Sequence, residues 1–212
     1  MNKISKRLLS LADFISKEDE LVDVGCDHGL LSIYLIENKL CKRVIASDIN
    51  QNALNNAIEN IKKKNLNIET ILSDGIDNID LTNINTLIIS GMGTSTILHI
   101  LKDNSKLNSI NKIIIQSNNE HEVLRKEMNN KNYYLKEEKI LKDKNKWYIT
   151  MYFIKSNKKN TKEEIEYGYL NNQEYIKFLL NKYTELLKII PKDNKDYKEI
   201  ETKYNKLSKI VK

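Results

Sequence analysis

The chain has 212 residues, 40% of them hydrophobic, and its 35 Lys and Arg outweigh 29 Asp and Glu to give a net charge of +6. That length holds one full α/β domain and a modest extension, and no apolar run approaches the about 20 residues of a membrane-spanning helix. Cys26 and Cys41 lack CxxC or Cys/His spacing, which excludes a zinc-finger or disulfide framework. Lys3, Lys6 and Arg7 precede a helical pattern without the apolar core and cleavage site of a signal peptide. The expectation is a cytoplasmic protein that is not membrane-bound, whose scattered basicity permits an anionic partner such as nucleic acid.

Ile4, Leu8, Leu11 and Ile15 predict a first helix over 4–15. The apolar pair Leu21-Val22 then runs into Asp23-Val24-Gly25-Cys26-Asp27-His28-Gly29 and the apolar stretch Leu30 to Leu35, which reads as strand, tight turn and buried helix. Gly25 lets backbone approach a ligand, and Gly29 is expected to let the new helix pack against the strand. The next strand, Val44 to Ser47, closes at Asp48. That is about the 20-residue spacing at which an acid meets the hydroxyls of a bound ribose, so an adenosine-containing cofactor is expected. Asn50 is placed to cap a helix bearing Leu54, Ala57, Ile58 and Ile61, with Lys62, Lys63 and Lys64 in its last turn.

A third strand, Ile68 to Ser73, ends at Asp74-Gly75; a fourth, Thr86 to Ser90, ends at Gly91-Met92-Gly93; a fifth, Lys112 to Ser117, leads through Asn118-Asn119 into another helix. Continuous apolar runs such as Leu87-Ile88-Ile89 and Ile113-Ile114-Ile115 mark strands covered on both faces. Strand–helix alternation of this kind predicts a doubly wound parallel α/β sheet, Rossmann-like. Tyr133 to Leu141 and Trp147 to Ile154 are joined too closely for a helical crossover and predict a terminal antiparallel hairpin. Residues 155–162 read as a polar linker. Ile176, Leu179, Tyr183, Leu186 and Ile190, then Tyr197, Ile200, Tyr204, Leu207 and Val211 beyond Pro191, predict a C-terminal helical hairpin of coiled-coil type. The expected domains are 1–155 and 163–212.

Acids after strands one, two and three favour S-adenosyl-L-methionine over a nicotinamide dinucleotide. The dinucleotide fingerprint needs glycine where Asp27 stands, so that backbone can meet a pyrophosphate, and a carboxylate there would repel it. A sulfonium cofactor has no phosphate and tolerates an acid. No Asn/Asp-Pro-Pro-aromatic segment of the kind used to methylate exocyclic amines is present, and Pro191 is the one proline. A ring nitrogen, with its in-plane lone pair, needs less help as acceptor.

Taken together, Asp23-Val24-Gly25-Cys26-Asp27-His28, Ser90-Gly91-Met92-Gly93, Gln116-Ser117-Asn118 and the early Ser5-Lys6-Arg7-Leu8 resemble the bacterial tRNA (adenine-22-N1)-methyltransferases of the TrmK family. The family commonly has proline where Ser117 stands, glycine where Thr94 stands and Gly-Pro where Gly168-Tyr169 stands. The resemblance implies methyl transfer from S-adenosyl-L-methionine to N1 of adenine 22 in tRNA by a monomer that needs no metal. Its cofactor residues would be Asp23, Gly25, Cys26, His28, Asp48, Ile49, Asp74, Gly75, Gly91 and Met92.

Asp27 and Asn118 are the candidate catalytic groups, each with a helix-capping alternative; His28 could instead only stabilise the turn. His99 and His121 read as structural or surface residues, and Tyr133, Tyr134, Trp147, Tyr148 and Tyr152 as hairpin packing. Lys177, Lys182, Lys188, Lys192, Lys195 and Lys198 could track tRNA phosphates or form a solvated face. Methylation of another RNA site or of a small molecule, or an idle RNA-binding module on the same fold, are the competing readings.

Overall fold

In the computed structural model, which describes residues 4–211, the chain runs α1 (Lys6–Ala12), β1 (Glu20–Val24), α2 (Leu30–Glu37), β2 (Arg43–Asp48), α3 (Gln51–Lys63), β3 (Glu69–Leu72), β4 (Thr86–Met92), α4 (Thr94–Ile100), β5 (Lys112–Ser117) and α5 (His121–Asn130). Lys3, counted above among the N-terminal cations, lies outside the described residues. β6 (Tyr133–Asp143), β7 (Lys146–Lys155) and α6 (Lys162–Tyr167) complete a first unit that ends at Gly168. α7 (Gln173–Ile189) and α8 (Lys195–Ser208) make a second.

The seven strands lie in the order β3-β2-β1-β4-β5-β7-β6. β1 to β5 pair in parallel, β7 runs antiparallel to β5, and β6 closes the edge as the other arm of the hairpin. The apolar runs of β4 and β5 are fully buried, as their lack of alternation requires. The strand order reverses beside β1, whose neighbours are β2 on one side and β4 on the other. In open α/β sheets that switch point leaves a crevice at the carboxyl ends of the strands.

Local signals set most element ends. Asn50 caps α3, its side chain accepting from the N–H groups of Asn52 and Ala53. α1 is shorter than the predicted 4–15: Ser5 caps it by accepting from the Leu8 N–H, and it ends at Ala12. Gly29 has φ 67°, and an added Cβ would lie 3.1 Å from Ala57 Cβ, so its smallness lets α3 lie against the start of α2, while α2 itself packs on β2. The hairpin turns on Lys144 and Asn145, both left-handed (φ 46° and 64°), the backbone that two-residue β-turns demand. Asp143 at its tip accepts from the Arg7 N–H at 3.2 Å and ties the hairpin to the first turn of α1.

The stretch read as a linker is pinned in place. Asn160 is buried, its Oδ1 accepting from Leu135 N–H at 2.8 Å. Thr161 and Glu164 form a reciprocal capping box that starts α6, a helix missing from the sequence prediction. Below it, Arg125 Nε donates to Glu138 Oε1 at 2.7 Å with side chains 5% and 0% exposed. Arg125 Nη1 also reaches the Ile165 carbonyl, so one buried ion pair holds α5, β6 and α6 together. In the second unit α7 and α8 pack on one another, with Asn172 and Asn194 as caps and Pro191 between them, and its six named lysines are all exposed. Among the described residues no helix is long and apolar enough to cross a membrane.

Removing one member of a buried ion pair strands the other. Glu138→Ala is therefore expected to lower the unfolding free energy by about 3–5 kcal/mol in urea denaturation. The paired change Arg125→Met with Glu138→Leu should recover most of that loss. A single-mutant cost below about 1 kcal/mol would mean that the pair does not hold the three elements.

Candidate active site

The carboxyl ends of β1 to β4 open on a cavity of about 850 Å³. Every residue expected to hold the cofactor lines it, from Asp23, Gly25, Cys26 and His28 through Asp48, Ile49, Asp74 and Gly75 to Gly91 and Met92, and so does Asp27.

The β1–α2 turn is fastened to the end of β2. Gly25 N–H and Cys26 N–H both donate to the Ser47 carbonyl, at 2.8 and 2.9 Å. Asp27 N–H donates to Asp48 Oδ2 at 3.0 Å and Asn50 N–H to Asp48 Oδ1 at 2.9 Å. Two backbone donors thus orient the buried Asp48 carboxylate, and each oxygen keeps a lone pair for a ligand hydroxyl. Gly25 has φ 73°, and a Cβ there would lie 2.2 Å from Met92 Cε, so its lack of a side chain admits Met92 over the turn. Asp27 is also left-handed (φ 51°), a conformation that costs a non-glycine residue energy and gathers at functional sites.

Asp27 does not cap α2. That helix starts at Leu30 with Gly29 at its N-cap and no side-chain bond. The Asp27 side chain is 71% exposed, its Oδ1 3.7 Å from His28 Nε2. Asp23 is the opposite case. It is 3% exposed and accepts from Ser32 Oγ at 2.7 Å. Burial pushes its carboxyl up to about 6, opposed by the Ser32 bond and reinforced by the Asp48 charge, with the Arg7 charge pulling the other way. Burial, then the Asp23 and Asp48 charges, push the Cys26 thiol up, so it stays neutral. Ile49, 66% exposed beside Asp48, presents an apolar side chain to the cavity, and Asp74 is exposed at its rim.

On the β4 side the pairing with β5 shifts register between Ser90 and Met92, and Gly91 (φ 79°) occupies the irregularity. Its carbonyl accepts from Asn118 Nδ2 at 2.7 Å, while Asn118 N–H donates to the Met92 carbonyl. Asn118 is exposed and adjoins the cavity through Gly91 rather than lining it. It does not cap α5, whose N-cap is Glu120, and among the described residues its Oδ1 receives no donor. Thr94 and Ser117, two departures from the family pattern, meet each other: their hydroxyls are 2.8 Å apart and buried, and both bond the Asn119 carbonyl.

Arg7 is a cavity residue that received no role from the sequence, although it lies within the Ser5-Lys6-Arg7-Leu8 stretch. Its Nη1 donates to Gln116 Oε1 at 3.2 Å, and the guanidinium lies 5.8 Å from the centre of the Tyr148 ring. Tyr148 therefore supports a cavity residue besides packing the hairpin. Lys144 and His99 also line the cavity; His99 had read as structural or surface, and the only signal for it was its place in the last turn of the helix after β4. His121 is structural, held against the Ser117 carbonyl at 3.1 Å, and burial lowers its pKa.

A parallel sheet closed by an antiparallel hairpin, with carboxylates at the ends of its first three strands, defines a methyltransferase domain. A family profile described as a methyltransferase domain matches residues 4–151. TrmK of M. capricolum, solved with S-adenosyl-homocysteine, is 35% identical with a TM-score of 0.85, over 98% of this chain and 97% of that one. A Mycoplasma genitalium protein provisionally classed as a tRNA methyltransferase is 32% identical over 98% of this chain and 97% of its own. The tRNA (adenine(22)-N(1))-methyltransferase of Bacillus subtilis is 31% identical over 69% of this chain and 63% of its own. The chain belongs to the TrmK family of methyltransferases.

Asp23 sets a stability cost with a definite sign. Its folded pKa, about 6, lies above the ordinary 3.8, so the folded state holds a proton that the unfolded state releases. Stability from this group is therefore greatest at low pH and is lost as pH rises to about 6. Asp23→Asn should raise stability at pH 8 by about 2–3 kcal/mol, with a gain that shrinks towards pH 4, read from melting curves across pH. A variant less stable than wild type at pH 8 would show that the ionised carboxylate is held favourably.

Proposed function

We propose that this chain transfers a methyl group from S-adenosyl-L-methionine to N1 of adenine 22 in tRNA. The observation that carries the reading is the acidic cavity at the ends of β1, β2 and β3, with Asp27 standing where a dinucleotide site needs bare backbone. Its donor set fits the cofactor. Asp48 faces the ribose hydroxyls, Ile49 and Asp74 the adenine, and Asp23 the α-ammonium of the amino-acid tail. The B. subtilis relative is named for the adenine-22 N1 reaction, and the M. capricolum relative was solved with the demethylated cofactor.

The cofactor supplies a methyl group already activated on a sulfonium, so the protein's task is alignment and charge. Holding an acceptor nitrogen in line at near-attack distance is worth several kcal/mol or more. Methylation at N1 leaves positive charge on the base. The exposed Asp27 carboxylate stabilises that charge electrostatically, and the undonated Asn118 Oδ1 accepts from the adjacent amino group. Adenine N1 carries no proton, so no general base is needed. The Watson–Crick edge must be open, which requires the base to leave its stack or lie in an unpaired loop. Residues 1–155 carry this chemistry, and the exposed lysines of α7 and α8 reach tRNA phosphates. The active species is a monomer working without a metal.

Incubation with labelled S-adenosyl-L-methionine should label unmodified tRNA bearing adenine at position 22 and not the same tRNA bearing guanine there, with the label recovered as 1-methyladenosine. No transfer to either RNA by protein that binds S-adenosyl-homocysteine would refute the acceptor assignment. Asp27→Ala is expected to lower kcat about 100-fold or more while S-adenosyl-homocysteine affinity stays within about threefold. Equal losses in both would reduce Asp27 to a shaper of the turn.

A further inference from the structure

We infer that Thr94 and Asn119 are positioning residues for methyl transfer: they lock the loop after β5 onto the loop after β4, and so hold the Asn118 amide oriented to accept from the amino group of the acceptor base. The inference deepens the proposed reaction at adenine and rests on it.

The lock joins backbone to buried hydroxyls. Gly93, the N-cap residue of α4, has no side chain to cap with, and the Thr94 N–H donates instead to Asn119 Oδ1 at 2.9 Å, from a loop 25 residues further on. Thr94 Oγ1 lies 2.7 Å from the Asn119 carbonyl oxygen. Ser117 Oγ lies 2.9 Å from that same oxygen and 2.8 Å from Thr94 Oγ1. Two hydroxyl protons serve these three contacts, so the hydroxyl that donates to the carbonyl accepts from the other. Both side chains are buried, and water does not compete for these bonds. Asn118 and Asn119 are themselves exposed. An exposed loop keeps a fixed geometry only when something beneath it is fixed, and Thr94 is that anchor.

The locked loop carries Asn118. Its N–H donates to the Met92 carbonyl at 2.9 Å and its Nδ2 to the Gly91 carbonyl at 2.7 Å. A carbonyl only accepts, so Gly91 decides which end of the amide is nitrogen. The end left over is an oxygen that can only accept. Adenine presents an amino donor beside N1, and that donor strengthens as N1 takes the methyl group and its positive charge. A purine without the amino group offers Asn118 nothing. Asn119 and Thr94 touch neither base nor cofactor in this account; they act through Asn118.

The test compares kcat/KM for methyl transfer to tRNA bearing adenine or unsubstituted purine at position 22. Both bases keep the N1 lone pair, and Asn118→Ala supplies the intrinsic ratio between them. Wild type should exceed that baseline roughly 10-fold or more, the range for a hydrogen bond to a charged group. Asn119→Ala should fall to within about threefold of the baseline through lost kcat on adenine, with purine turnover and S-adenosyl-homocysteine affinity within about threefold of wild type. Asn119→Asp keeps an acceptor for the Thr94 N–H and should retain most of the wild-type ratio. Adding Asn119→Ala to Asn118→Ala should change the ratio no further, because one residue acts through the other. Thr94→Val removes a hydroxyl and little volume; it should also lower the ratio, and it carries the test should Asn119→Ala not fold. A wild-type ratio no greater than the baseline, a wild-type ratio retained in Asn119→Ala, or equal losses on both bases overturns the inference. A further drop in the double variant overturns it as well, by giving Asn119 its own contact with the base. Wild type that binds S-adenosyl-homocysteine and methylates neither tRNA would refute the acceptor assignment, and this inference with it, a result distinct from the others.

Discussion

Three successive backbone N–H groups, those of Gly25, Cys26 and Asp27, are satisfied at the end of β2, two by the Ser47 carbonyl and one by the Asp48 carboxylate. The rest of the site depends on that fastening. It bends the chain leftward at Gly25, Asp27 and Gly29, starts α2 close against Ala57, and brings Asp23, Asp27 and Asp48 to one cavity wall. Like charges so placed repel one another, and burial makes Asp23 costly to ionise. A cation in the cavity relieves that cost. Affinity for a positively charged ligand is thus prepared by the fold before any ligand arrives.

The other wall is organised by the sheet's antiparallel end. The hairpin tip reaches α1 through Asp143, and Gln116 and Thr150 on neighbouring strands hold Arg7 from beneath. The irregularity at Gly91 turns a carbonyl out of the ladder, and Asn118 binds it. With Thr94 and Ser117 bonded below, the loops that follow β4 and β5 are cross-linked rather than independent. The cavity's lining comes mainly from the ends of β1 to β4, and Asn118 adjoins it from the end of β5 through its bond to Gly91.

Much of this was readable in the chain because its signals are local. Unbroken apolar runs identified β4 and β5, the short gap between Leu141 and Trp147 forced a hairpin, and Asn50 marked the start of α3. The acids after the first strands sit at spacings set by the strand–helix unit itself, which is why Asp23, Asp48 and Asp74 could be placed. α6 escaped notice because it is six residues long with no buried face, although Thr161 and Glu164 spelled its capping box. Arg7 was legible only as one more N-terminal cation, since its meaning comes from Gln116, 109 residues away. His99 and Lys144 likewise become cavity residues only once the sheet brings their loops together. The capping alternatives for Asp27 and Asn118 depended on where α2 and α5 begin, and helix boundaries are what patterning fixes least well.

Calorimetric titration of S-adenosyl-homocysteine at pH 6, in buffers of different ionisation enthalpy, tests the cavity's electrostatics most directly. Binding of the α-ammonium beside Asp23 favours the ionised carboxylate, so about half a proton should be released per ligand at pH 6 and almost none at pH 8. Affinity should rise from pH 5 to pH 7 in step. Binding without proton release at pH 6, or with proton uptake, would contradict the placement of the cationic tail against Asp23.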